Sequence, residues 1–91
     1  MESLFGPIID VFEITGRGCI VAIENERIAP DVKLHIGDVV VLKSASQAPI
    51  KTVVRGLDFG RGTSNFVGVL VGPEVLKSMI LAHTELWKEI S

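Results

Sequence analysis

Two arginines held between glycines are the residues whose type and spacing best suit them to chemistry in this 91-residue chain. Arg17 stands in Gly16-Arg17-Gly18, and Arg61 in Gly60-Arg61-Gly62. Glycine lets the nearby backbone approach a ligand closely. A guanidinium there can pair bidentately with phosphate. Both tripeptides read equally well as plain turns. No nucleophile–base set accompanies them. Cys19 falls just inside a predicted strand, where a small apolar side chain packs well. His35 and His83 lie far apart and lack a Cys or His at ligand spacing, so solvent or packing roles are expected. Glu24 and Glu26, two residues apart, read as a solvated strand face rather than a cation site. There is no GxxxxGK[ST] loop to cradle phosphates, so GTP binding is not expected. The chain reads as a non-enzyme, with no cofactor and no metal.

Size and composition bound the elements that must position these residues. The length fits one domain, residues 1–91, whose core has to be efficient. With 47% hydrophobic residues and abundant Val and Ile, pleated half-buried strands are favoured. The lone cysteine and the absence of a signal-like start point to a reducing, cytoplasmic setting. No window approaches the ~20 apolar residues of a membrane span. The formal net charge of −2 argues against a generic polyanion binder. Between Lys33 and Arg61, however, Lys33, Lys43, Lys51, Arg55 and Arg61 face only Asp38 and Asp58, so one side could carry a modest positive field.

Along the chain, residues 8–15 read as a first strand with apolar residues on both faces. Gly16-Arg17-Gly18 is the turn, and 19–25 the return strand of a hairpin. A charged connection with Ala29-Pro30-Asp31 precedes a short extended piece, 33–36, and a strand over 39–43. Residues 44–49 read as a loop, 50–59 as the longest strand with a bulge or bend at Gly56, 60–64 as a loop, and 65–71 as another strand. The C-terminal stretch is ambiguous. Val75, Leu76, Met79, Ile80, His83, Leu86, Trp87 and Ile90 fall close to one helical face, as for a single helix over 74–90.

Several stretches, in the same order, resemble the second, β-barrel domain of elongation factor Tu and related translation GTPases. They are Asp10-Val11-Phe12 with Ile14 to Gly18, then Glu26-Arg27 with Lys33 to Asp38. Lys51 to Phe59, Asn65 to Gly72 and Glu74 to Ala82 follow. They cover residues 10–82. The resemblance implies a closed antiparallel barrel of about six strands, which removes exposed edges. On it, Glu74 to Ser78 forms a helical turn, Met79 to His83 the closing strand, and the segment from Thr84 an added tail with Leu86, Trp87 and Ile90 at helical spacing. The departures bear on function. The family has a Gly-Arg pair where Ile23-Glu24 stands here. There is a small insertion around Ala29 to Val32, and a shortened loop at Gly60 to Ser64. The family's domain helps hold the aminoacyl end of tRNA beside a GTPase domain; here the barrel reads as free-standing, its tRNA-handling surface altered.

The expectation is therefore a stand-alone, non-enzymatic binding module that docks on protein or RNA, with the translation apparatus as the setting the resemblance implies. For RNA, Arg17, Lys43, Lys51, Arg55 and Arg61 would supply phosphate contacts. For a protein, or a second copy of the chain, Trp87 in the tail would be an interface anchor. An adaptor unrelated to translation and a small-molecule-binding barrel are the alternatives.

Overall fold

The computed structural model describes residues 1–58 and 65–90. Among them are seven strands in one antiparallel sheet and no α-helix. The strands are β1 (Glu2–Pro7), β2 (Asp10–Ile14), β3 (Gly18–Glu24), β4 (Val39–Ser44), β5 (Gln47–Asp58), β6 (Phe66–Val71) and β7 (Glu85–Glu89). Their spatial order is β1-β7-β4-β5-β6-β3-β2. Two 3-10 turns, Asn25–Arg27 and Lys77–Met79, interrupt the connections.

β5 is the spine of the sheet. Its first half pairs with β4, ending at Val39 opposite Val53, and its second half pairs with β6, starting at Val54 opposite Val71. The change of partner coincides with a register shift between Val54 and Gly56, which leaves Arg55 as the extra residue and bends the strand. This arrangement also explains Pro49. Proline cannot donate to a ladder, and at Pro49 the side of β5 that later meets β6 has no partner strand.

The inward faces meet in one core. Phe5 of β1, Cys19, Val21 and Ile23 of β3, Val40 and Leu42 of β4, Val54 of β5, Val67, Val69 and Val71 of β6 and Leu86 of β7 form a single buried cluster. A flat sheet could not bring both its ends to one cluster, so the sheet wraps around it. No ladder joins the end strands β1 and β2 among the described residues. The chain passes from one end strand to the other through Ile8 and Ile9, whose amides extend the two separate ladders: Ile8 donates to the Thr84 carbonyl beside β7 at 2.9 Å, and Ile9 to the Ala22 carbonyl of β3 at 2.9 Å.

The structure corrects the expected elements at both termini and near the middle. There are seven strands rather than six, because residues 2–7 form β1, paired with β7 from Glu2 opposite Glu89 to Pro7 opposite Glu85. Residues Met79 to His83 are not the closing strand, and the segment from Thr84 is not a helical tail. Glu85–Glu89 is strand β7, set between β1 and β4. Leu86 is fully buried while Glu85, Trp87 and Glu89 share the other side, a period-two pattern too short to tell from helical spacing by eye. The C-terminal helical element reduces to the single turn at Lys77–Met79. The loop over 44–49 shrinks to the two-residue turn Ala45-Ser46.

A candidate docking face on strands β2, β3 and β6

The six residues singled out for binding are divided by the fold. Lys43, Lys51 and Trp87 come together on the outer face of β7, β4 and β5. Trp87 stands opposite Val41, and Val41 opposite Lys51, in consecutive registers. The Lys43 ammonium lies 4.4 Å from the centroid of the Trp87 ring and pairs with Glu2. Trp87 Nε1–H donates to Glu85 at 3.2 Å. Lys51 pairs with Glu89 at 3.0 Å. Trp87 is thus half-buried in a strand, among ion pairs. Arg55 sits apart at the β5 bulge, on Glu74's side of the molecule, where its charge acts on that carboxylate. Arg17 is exposed in the β2–β3 turn, and Arg61 lies outside the described residues.

The glycines around Arg17 are accounted for by geometry alone. Gly16 and Gly18 have φ of 79° and 111°, in the left-handed region. A Cβ on Gly18 would also come within 3.1 Å of the Val71 carbonyl oxygen. The Arg17 amide closes the turn on the Ile14 carbonyl at 2.9 Å.

Cys19 is buried, its thiol 3.5 Å from the Val75 carbonyl. Burial and, secondarily, the nearby Glu13 charge push its pKa up, which keeps it a thiol rather than a nucleophilic thiolate. Among the described residues no three His, Cys, Asp or Glu side chains are grouped to hold a metal ion. Among the same residues no helix is long and apolar enough to cross a membrane.

The feature that sequence reading did not single out lies on the other half of the sheet. Registers place Phe12, Ile20, Leu70 and Gly56 in one cross-strand row and Asp10, Ala22, Gly68 and Asp58 in the next; Glu24 opposes Phe66. These residues point away from the core. They enclose an open recess of about 350 Å³ between Ile9, Phe12, Ile20, Ala22, Phe66 and Gly68, with Asp10 and Asp58 on its lining. Phe12 is 53% and Phe66 44% exposed, a large share for phenylalanine. The signal was present in the sequence. The first strand carries apolar residues on both faces, and Phe66 and Leu70 alternate with Val67, Val69 and Val71. Periodicity could not say that the two outer rows lie side by side.

A second, larger recess of about 910 Å³ opens at one end of the sheet, between Phe5, Ile28, Val32, Leu34, Ile36 and Leu57. Lys33 and His35 stand on its rim.

Compared with known proteins, the chain matches no family model, no curated protein and no solved structure.

Proposed function

We propose that the chain is a non-enzymatic binding module, a translation-factor-type barrel that docks on a protein through the outer face of β2, β3 and β6. The observation that carries this reading is the apolar recess between Phe12 and Phe66. Exposed rings set beside small residues make an anchor site for a partner's side chains. The order of the stretches that resemble the translation-factor domain, with a sheet that wraps around one core, supports the barrel and makes the translation apparatus the first place to look for the partner. That step is an analogy of fold. An RNA partner is less well supported. Lys43 and Lys51 each hold a carboxylate, and Arg17 and Arg55 lie elsewhere on the surface.

The test is crosslinked affinity capture from the native cell with the intact chain and with the doubly substituted Phe12→Ala/Phe66→Ala chain. The wild type is expected to enrich a protein whose crosslinks fall around residues 10–24 and 65–70, and the variant to lose it. Equal recovery by both chains sinks the docking face.

The 910 Å³ recess favours one second reading, a small-molecule-binding barrel. A thermal-shift screen separates the two, since a ligand that binds only the folded form raises the midpoint. Hits abolished by Ile36→Asp support that reading, and hits indifferent to it count against the recess.

A further inference from the structure

The geometry points to the chemistry of the partner: a short peptide segment carrying one bulky apolar side chain next to a lysine or arginine, seated between Phe12 and Phe66. This rests on the docking reading above and specifies what it docks. Three observations carry it.

The first is shape. At about 350 Å³ the recess lies at the small end of the range that holds a drug-sized ligand. It suits one large side chain and its neighbours rather than a whole helix face. The recess is kept open by its small members, Ala22 and Gly68. A Cβ on Gly68 would stand 3.0 Å from the Ile20 Cγ2 and 3.6 Å from the Asp58 Cβ, inside this row of residues.

The second is charge. Strands β2, β3 and β6 contain no Lys or Arg, while Asp10 and Glu24 stand on the recess side of β2 and β3, in register with Ala22 and Phe66. A cation beside the apolar knob meets carboxylates and the negative faces of two rings. A phosphate backbone meets repulsion. A second copy docking this face on itself would oppose carboxylate to carboxylate, which disfavours a symmetric dimer through it.

The third is the state of the edge. β2 ends the sheet, but the Val11 amide is donated to Asp10 Oδ1 at 2.8 Å and the Lys77–Met79 turn lies against β2. Addition of a partner strand to that edge is obstructed. The partner instead lays side chains on the face. Asp10 retains lone pairs for an incoming cation after accepting the Val11 bond.

The probe is a displayed library of short random peptides, panned against the intact chain at low salt, with enriched sequences resynthesised and titrated by NMR. The expected result is enrichment of Leu, Met or an aromatic residue adjacent to Lys or Arg. Chemical-shift changes should centre on residues 10–12, 20–22 and 66–68. Phe12→Ala or Phe66→Ala should each weaken binding by about tenfold or more with the melting temperature nearly unchanged. Asp10→Lys, which leaves the apolar recess in place, should weaken basic peptides selectively. Raising the salt should do the same. Enriched peptides that are acidic or uncharged, with affinity indifferent to Asp10→Lys, overturn the proposed chemistry while leaving a docking face. Peptides that shift Leu4, Val41 and Trp87 instead overturn the site. Failure to enrich any peptide overturns the inference. A homopolymeric RNA that displaces the peptides, with contacts abolished by Phe12→Ala, overturns it in favour of nucleic acid.

Discussion

The most exacting local arrangement is built on Thr52, a polar side chain buried to 3% exposure. Its hydroxyl donates to Glu74 at 2.7 Å and accepts the Gly72 amide at 3.1 Å, tying the turn after β6 to the spine strand. Thr52→Val keeps the shape but orphans the Gly72 amide, and should cost about 1–3 kcal/mol in denaturant unfolding. The Thr52 hydroxyl bond, then Glu74's own amide, hold the Glu74 carboxyl below the usual glutamate range. For Asp38, burial pushes upward, but the His35 amide bond and Lys88 pull the net shift downward. In both cases the folded chain binds fewer protons than the unfolded chain. The stabilisation is complete above the unfolded values, about 4 for such groups, and is lost as pH falls through the lowered folded values. Glu74→Gln should therefore lower the melting temperature near neutrality and leave it nearly unchanged in strong acid. Because Glu74 is exposed, the effect should be small. Gly6 is constrained differently. A Cβ there would sit 2.7 Å from the Ile23 Cγ2 and 3.3 Å from the Arg27 carbonyl. Gly6→Ala should thus destabilise by about 1–3 kcal/mol, checked by the same unfolding curves.

Among the elements, β7 decides most. It pairs on both sides, with β1 and with β4, and its Leu86 is fully buried in the core. A chain ending at Thr84 loses that strand, leaves β1 without a partner and exposes a new edge on β4. It should lose its cooperative thermal transition, measured by circular dichroism, and aggregate. Had the segment from Thr84 been a tail, the same truncation would have left stability unchanged. Leu86→Ala, a milder intervention, should cost about 2–5 kcal/mol. The β2–β3 turn tolerates changes unequally. Both glycines have a left-handed φ that strains any side chain, but a Cβ at Gly16 would meet open space while one at Gly18 would also meet the Val71 carbonyl, so Gly18→Ala should be the more damaging of the two.

At the scale of the whole molecule, the two outer faces have opposite characters. The face around Trp87 is laced with ion pairs, Lys43 to Glu2 and Lys51 to Glu89. The face around Phe12 is apolar and flanked by carboxylates. Removing the first set of cations should change stability little, since exposed pairs contribute about 0–1 kcal/mol. The Lys43→Ala/Lys51→Ala chain should accordingly melt within a few degrees of the wild type and keep its protein partner. An RNA-docking module would instead lose affinity and salt dependence in the same variant.

The middle strands were legible in the sequence because they combine valine-rich alternation with glycine turns. Val39–Ser44, Phe66–Val71 and the hairpin across Gly16-Arg17-Gly18 lie within a residue or two of where periodicity places them. The termini were not. Glu2–Pro7 and Glu85–Glu89 are short and weakly patterned, and they become strands by pairing with each other and with β4, a contact between the two ends of the chain. The same holds for the candidate site. Residue types alone drew attention to Arg17, Lys43, Lys51 and Trp87, yet the fold scatters or neutralises these. The paired registers of β2, β3 and β6 instead set Phe12, Phe66, Asp10 and Asp58 around one recess. Local sequence determined an all-β chain, because side-chain alternation and glycine turns act over a few residues. Which rows of side chains became neighbours was decided by tertiary structure, because strand register brings together residues that the chain itself keeps far apart.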